Sequence, residues 1–124
     1  MATHKIFDVP QDTSGKYTAQ IIDEDGVALP AASITTLTLT LYDTEDESII
    51  NSRDGQNVLN TNQVTVDSSG TLTWNWLPAD MPAQNQASRT PEVHTALFTC
   101  TWNAGANKFY HEVGFRIIKV RIPA

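Results

Sequence analysis

Thr36-Leu37-Thr38-Leu39-Thr40-Leu41-Tyr42 alternates leucine with a more polar side chain at every step. Successive side chains of an extended chain point to opposite faces, so this run places three leucines on one side and the threonines on the other, as a half-buried β-strand requires. The same period of two recurs outward in both directions. Tyr17, Ala19 and Ile21 share a face in 16–23, Leu72, Trp74 and Trp76 in 71–77, and Ala96, Phe98, Cys100 and Trp102 in 92–102. A long last strand over 108–122 turns Val113, Phe115 and Ile117 inward, and its phase shifts at Ile117-Ile118, where we expect a bulge that keeps Ile118, Val120 and Ile122 on the core side. Shorter extended pieces fall at 27–30, 48–51 and 64–66.

Turn chemistry separates these runs: Asp25-Gly26, the acidic 43–47, 67–70, and Ala104-Gly105-Ala106-Asn107. Residues 53–63 read as a loop with one helical turn near Val58 and Leu59. Residues 78–91 carry three prolines and read as a long irregular connection. No convincing long helix remains. About seven main strands joined by short turns and one long crossover describe an all-β, antiparallel β-sandwich of immunoglobulin-like type. Alternating connections would put 43–47, 67–70 and 104–107 at one end and 23–26, 53–63 and 78–91 at the other.

With 124 residues, 40% of them apolar and 18% charged, the chain has material for one core: a sandwich over 16–124 preceded by an arm over 1–15. No run approaches 18 apolar residues and the first fifteen lack an apolar signal core, so we expect neither a membrane span nor a secretory leader, and synthesis in the cytoplasm. The net charge of −6 disfavours nucleic acid and anionic membrane as partners. It is uneven: residues 1–80 hold twelve acids against three bases, and residues 81–124 two acids against five bases.

Two resemblances add to this. Thr95-Ala96-Leu97-Phe98-Thr99-Cys100 resembles the penultimate strand of immunoglobulin-like domains. Cys100 is the sole cysteine, however: no earlier one stands in the Leu37–Leu41 run, and Phe98 lacks the hydroxyl of a tyrosine corner. The chain looks like the fold without its disulfide. Over roughly 16–120, the opening Tyr17-Thr18-Ala19-Gln20-Ile21-Ile22-Asp23-Glu24-Asp25-Gly26, the following Ala28-Leu29-Pro30, the Leu37–Asp43 strand and Leu72-Thr73-Trp74 resemble small Ig-like virion proteins of tailed bacteriophages. That resemblance implies a noncatalytic particle component, such as a capsid decoration, neck or tail protein. It would be made in the bacterial cytoplasm and would pack against copies of itself and other virion proteins.

No residue pattern supports catalysis or a cofactor. No serine lies in a G-x-S-x-G elbow, the six glycines are scattered, and Cys100 sits in an apolar alternation that marks an inert buried thiol. The acidic runs Asp23-Glu24-Asp25 and Asp43, Glu45, Asp46, Glu47 could supply oxygens to Ca2+, but they lack EF-hand spacing and fall at opposite ends. His4, His94 and His111 would have to converge with Cys100 or a carboxylate to hold a metal, and we expect none. His94 and His111 could be cross-strand neighbours. Trp74, Trp76 and Trp102 share faces with core residues, so packing is favoured over a sugar-stacking platform. A module binding host-surface glycan or protein is the alternative function. For assembly, the expected contacts are Ile6, Phe7 and Val9 of the arm, Met81 in the 78–91 loop, and the basic end of the last strand, Arg116, Lys119 and Arg121.

Overall fold

A computed structural model describes residues 6–88 and 90–120. It is all-β, with eight strands: β1 (Ile6–Pro10), β2 (Gly15–Gln20), β3 (Ile34–Asp43), β4 (Gln56–Asn57), β5 (Val64–Val66), β6 (Thr71–Trp76), β7 (Glu92–Trp102) and β8 (Asn107–Ile118). One sheet has the order β1-β8-β7-β3-β4 and the other β2-β6-β5. Two sheets of five and three strands around a shared apolar interior make a β-sandwich, and the division of strands between them is that of an immunoglobulin-like domain. The helical turn expected near Val58 is absent. Val58 instead follows the two-residue β4, and its N–H donates to Leu37 O at 2.9 Å.

The alternation decides the core. Leu37, Leu39 and Leu41 of β3 meet Ala96, Phe98 and Cys100 of β7 and Val113, Phe115 and Ile117 of β8, and Leu72 and Trp74 of β6 close over them from the second sheet. Trp74 makes edge contacts with Phe98 and Phe115 at centroid distances of 5.8 and 5.6 Å, a favoured aromatic geometry.

Several expectations are corrected. The first residues are not a detached arm: β1 pairs in parallel with β8, Ile6 opposite Gly114 through Pro10 opposite Ile118, so one edge of the sandwich is not antiparallel. The register of β7 against β8 runs unbroken from Trp102–Asn107 to Glu92–Ile117, so there is no bulge at Ile117-Ile118. Ile118 and Val120 point outward instead, and Ile122 lies outside the described residues. Residues 23–26 and 43–47 exchange the ends allotted to them. The cause is that 48–66 traverses the molecule once, through the isolated Tyr42–Ile49 bridge, β4 and β5, where two crossings were expected. The 43–47 turn therefore faces the beginning of β7, while 23–26 lies near the 67–70 turn, where Ile21 N–H donates to Gly70 O at 2.8 Å. The missing disulfide also has a different geometry. Cys100 is cross-strand from Leu37 in its own sheet, and the residues facing it from the opposite sheet are Ala19, Ile21 and Leu72, around a cavity of about 30 Å3.

Candidate functional site

Asp43 ends β3 and is paired in register with His94, the third residue of β7. His94 belongs to the inward set of Ala96, Phe98 and Cys100, so its ring is fully buried, with Phe115 opposite it on β8. Glu92, two residues earlier on the same face, completes a cluster in which one ligand-type atom from each residue lies within 4.8 Å of the others. His94 Nε2 stands 3.7 Å from Glu92 Oε1 and 3.9 Å from Asp43 Oδ2, and neither ring nitrogen has a hydrogen-bond partner.

The carboxylates are held from behind. Glu45 N–H donates to Asp43 Oδ1 at 2.9 Å, which leaves Oδ2 toward the imidazole. Gln84 N–H and Asn85 N–H donate to the two oxygens of Glu92, and Lys119 Nζ lies 3.4 Å from Oε2. Burial works to raise the Glu92 carboxyl, but these N–H groups and the Lys119 ammonium hold it below the ordinary glutamate value. Burial likewise pushes the His94 imidazole below its usual range, against the pull of Asp43 and Glu92, and so favours the neutral ring with a free lone pair. A cleft of about 240 Å3, lined by Asp43, Thr44, Glu45, Pro91, Glu92 and Val93, gives this end of the molecule access to solvent.

The expected site residues are dispersed by comparison. His111 is not beside His94: it sits opposite Phe98, four positions along β8 from Phe115, and its Nε2 is bonded to the Tyr17 hydroxyl. His4 and Arg121 lie outside the described residues. Ile6 and Phe7 are 55% and 37% exposed on the β1 edge, but Val9 is buried in this chain's own core. Met81 is fully buried, so it anchors the 78–91 loop internally and offers no contact surface. Arg116 is exposed and forms a two-pronged pair with Asp8 of β1, at 2.7 and 2.9 Å. Lys119 is 8% exposed and donates to Asn85 O and Ser88 O, so its charge is spent within the chain. Cys100 is buried and free, and burial raises its thiol to about 11. Trp74 and Trp102 are buried and Trp76 partly so, with the Trp76 indole N–H donating to Thr13 O.

A second cluster was missed entirely. Arg53, 2% exposed, and Asp80, fully buried, are joined at 2.6 Å (Nε to Oδ1) and 3.1 Å (Nη2 to Oδ2). Gln56, Asn62 O and Gln63 accept the remaining guanidinium protons, Asn51 and Leu77 N–H donate to Asp80, and the guanidinium lies 5.8 Å from the Trp74 ring centre. Each charged atom is satisfied, as a buried pair demands. The pair ties the 51–63 segment to the loop that leads into β7.

Compared with known proteins, the chain matches no family model, and no curated protein matches it.

Proposed function

We propose that this chain is a noncatalytic structural component of a tailed-bacteriophage particle, a capsid decoration, neck or tail protein. It works by packing against copies of itself and other virion proteins after synthesis in the host cytoplasm. The observation that carries the reading is the outer edge of β1. Among the described residues nothing pairs with its far side, Ile6 is 55% exposed on it, and the outward Ile118 and Val120 follow at the end of β8. Unpaired strand backbone beside apolar side chains is the element by which sheets recruit a further strand. The interior supports the same reading, because the two inner faces are filled by leucines and aromatic rings. The indoles lend the glycan-binding alternative no support, since none stands as an exposed platform.

Light scattering across a concentration series is the test. The full chain should form a defined oligomer, and Ile6→Lys, which adds charge to the edge without touching the core, should weaken it. A strictly monomeric protein that also fails to co-sediment with phage particles would overturn the proposal.

A further inference from the structure

We propose that Asp43, Glu92 and His94 form a binding site for one divalent transition cation of the Zn2+ class, placed where the 43–47 turn meets the start of β7. Two independent observations support it. Two carboxylates converge, and a fully buried imidazole with both nitrogens unpartnered is aimed between them. A buried ring that makes no hydrogen bond carries a desolvation cost, which the two carboxylates, standing beyond hydrogen-bond distance, offset only in part. Coordination through Nε2 would offset it.

The geometry is close to what such an ion needs. Metal–nitrogen and metal–oxygen bonds of about 2.0–2.2 Å place neighbouring ligand atoms roughly 3.3–3.5 Å apart in a tetrahedron. The imidazole already stands 3.7 and 3.9 Å from the two oxygens, a few tenths of an ångström beyond that spacing. The donors select the class of metal. One imidazole with two carboxylates suits zinc and its first-row neighbours, whereas Ca2+ takes six to eight oxygens and Mg2+ keeps its waters. The surroundings match those of metal ligands: Glu45, Gln84 and Asn85 N–H groups fix the carboxylates, much as outer partners orient ligands elsewhere. Lys119 offsets one of the two negative charges, and the net negative charge that remains favours a cation. The adjoining cleft is lined by Asp43 and Glu92 and brings solvent to the carboxylate side of the cluster. The ion would clasp β3 and β7 at one end of the sandwich, beside the loop that Glu92 holds.

Zn2+ titrated into the chelator-stripped full chain should bind at one equivalent by calorimetry and raise the melting temperature. Asp43→Asn, Glu92→Gln and His94→Gln should each weaken binding at least about tenfold. His111→Gln, four positions away on the neighbouring strand, should bind as the parent does. If His94→Gln fails to fold, Asp43→Asn decides the matter, because its retained amide oxygen can still accept from Glu45 N–H. A shift of the His94 Nε2 resonance on adding Zn2+ gives a readout that general stabilisation would not produce. The proposal is overturned if Zn2+ gives neither heat nor a melting shift, if the carboxylate variants bind like the parent, or if Ca2+ binds more tightly than Zn2+.

Discussion

Changing Asp80 to Asn would leave the Arg53 guanidinium buried against Trp74 with no counter-charge, while Asn51 and Leu77 N–H lose an anionic acceptor. Breaking one side of a buried pair costs about 3–5 kcal/mol, so Asp80→Asn should lower the urea midpoint sharply with little change in the slope. Arg53→Met with Asp80→Leu together should cost less than either alone, because the desolvation of both charges disappears with them. Cys100 sets a second expectation. Its thiol is raised from 9.0 to about 11 in the fold, so the stabilisation from keeping it neutral is complete below the unfolded value and lost as pH climbs through the folded one. Stability should therefore fall as pH rises from about 9 to about 11. Cys100→Ala should flatten that part of the profile relative to the parent in chemical denaturation. Below pH 9 the thiol should react with alkylating reagents only as fast as the protein opens.

Among the elements, β2 illustrates how a weak strand is held. Gly15 faces Trp76 across the antiparallel pair, and a Cβ there would stand 2.1 Å from the indole ring. The indole lies over the bare glycine and anchors to Thr13 O. Gly15→Ala should therefore push Trp76 aside and cost about 1–3 kcal/mol, visible as a changed tryptophan emission together with a lower melting temperature. The strands that sequence alternation reveals are those with one face in the core. β7 spans the expected 92–102, and β3 extends the expected 36–42 by two residues at the start and one at the end. β1 and β4 escaped for the opposite reason. Ile6-Phe7-Asp8-Val9-Pro10 is short, ends in proline and buries only Val9, and Gln56-Asn57 has no apolar signal at all. The Asp43–Glu92–His94 cluster was half legible. His94 lies on the inward phase of its strand and could be read as buried, but its pairing with Asp43 depends on β3 lying beside β7, which local pattern does not encode. Arg53 and Asp80 are 27 residues apart in segments read as loops, so nothing local announced that they meet.

For the molecule as a whole, charge and shape act together. The chain carries −6, so copies brought edge to edge repel at long range, and added salt should strengthen self-association by screening that repulsion. The same scattering measurement in low and high salt reads this out, and weakening by salt would point to contacts made by opposite charges. Lys119→Glu is a poor reporter of assembly, because Lys119 already binds the 78–91 loop through Asn85 O and Ser88 O, and reversal there would loosen the loop first.

Trimming the chain back to its first turn, a common step in preparing a domain for crystals, would strip β1 from Gly114–Ile118 of β8. It would also pull Phe7 away from Tyr17 and Phe115, whose rings it touches at centroid distances of 5.8 and 6.0 Å, and open a seam down the side of the sandwich. The longest strand would then stand bare along that stretch, ready to pair with the same stretch of a second molecule in a two-fold contact that the intact chain blocks.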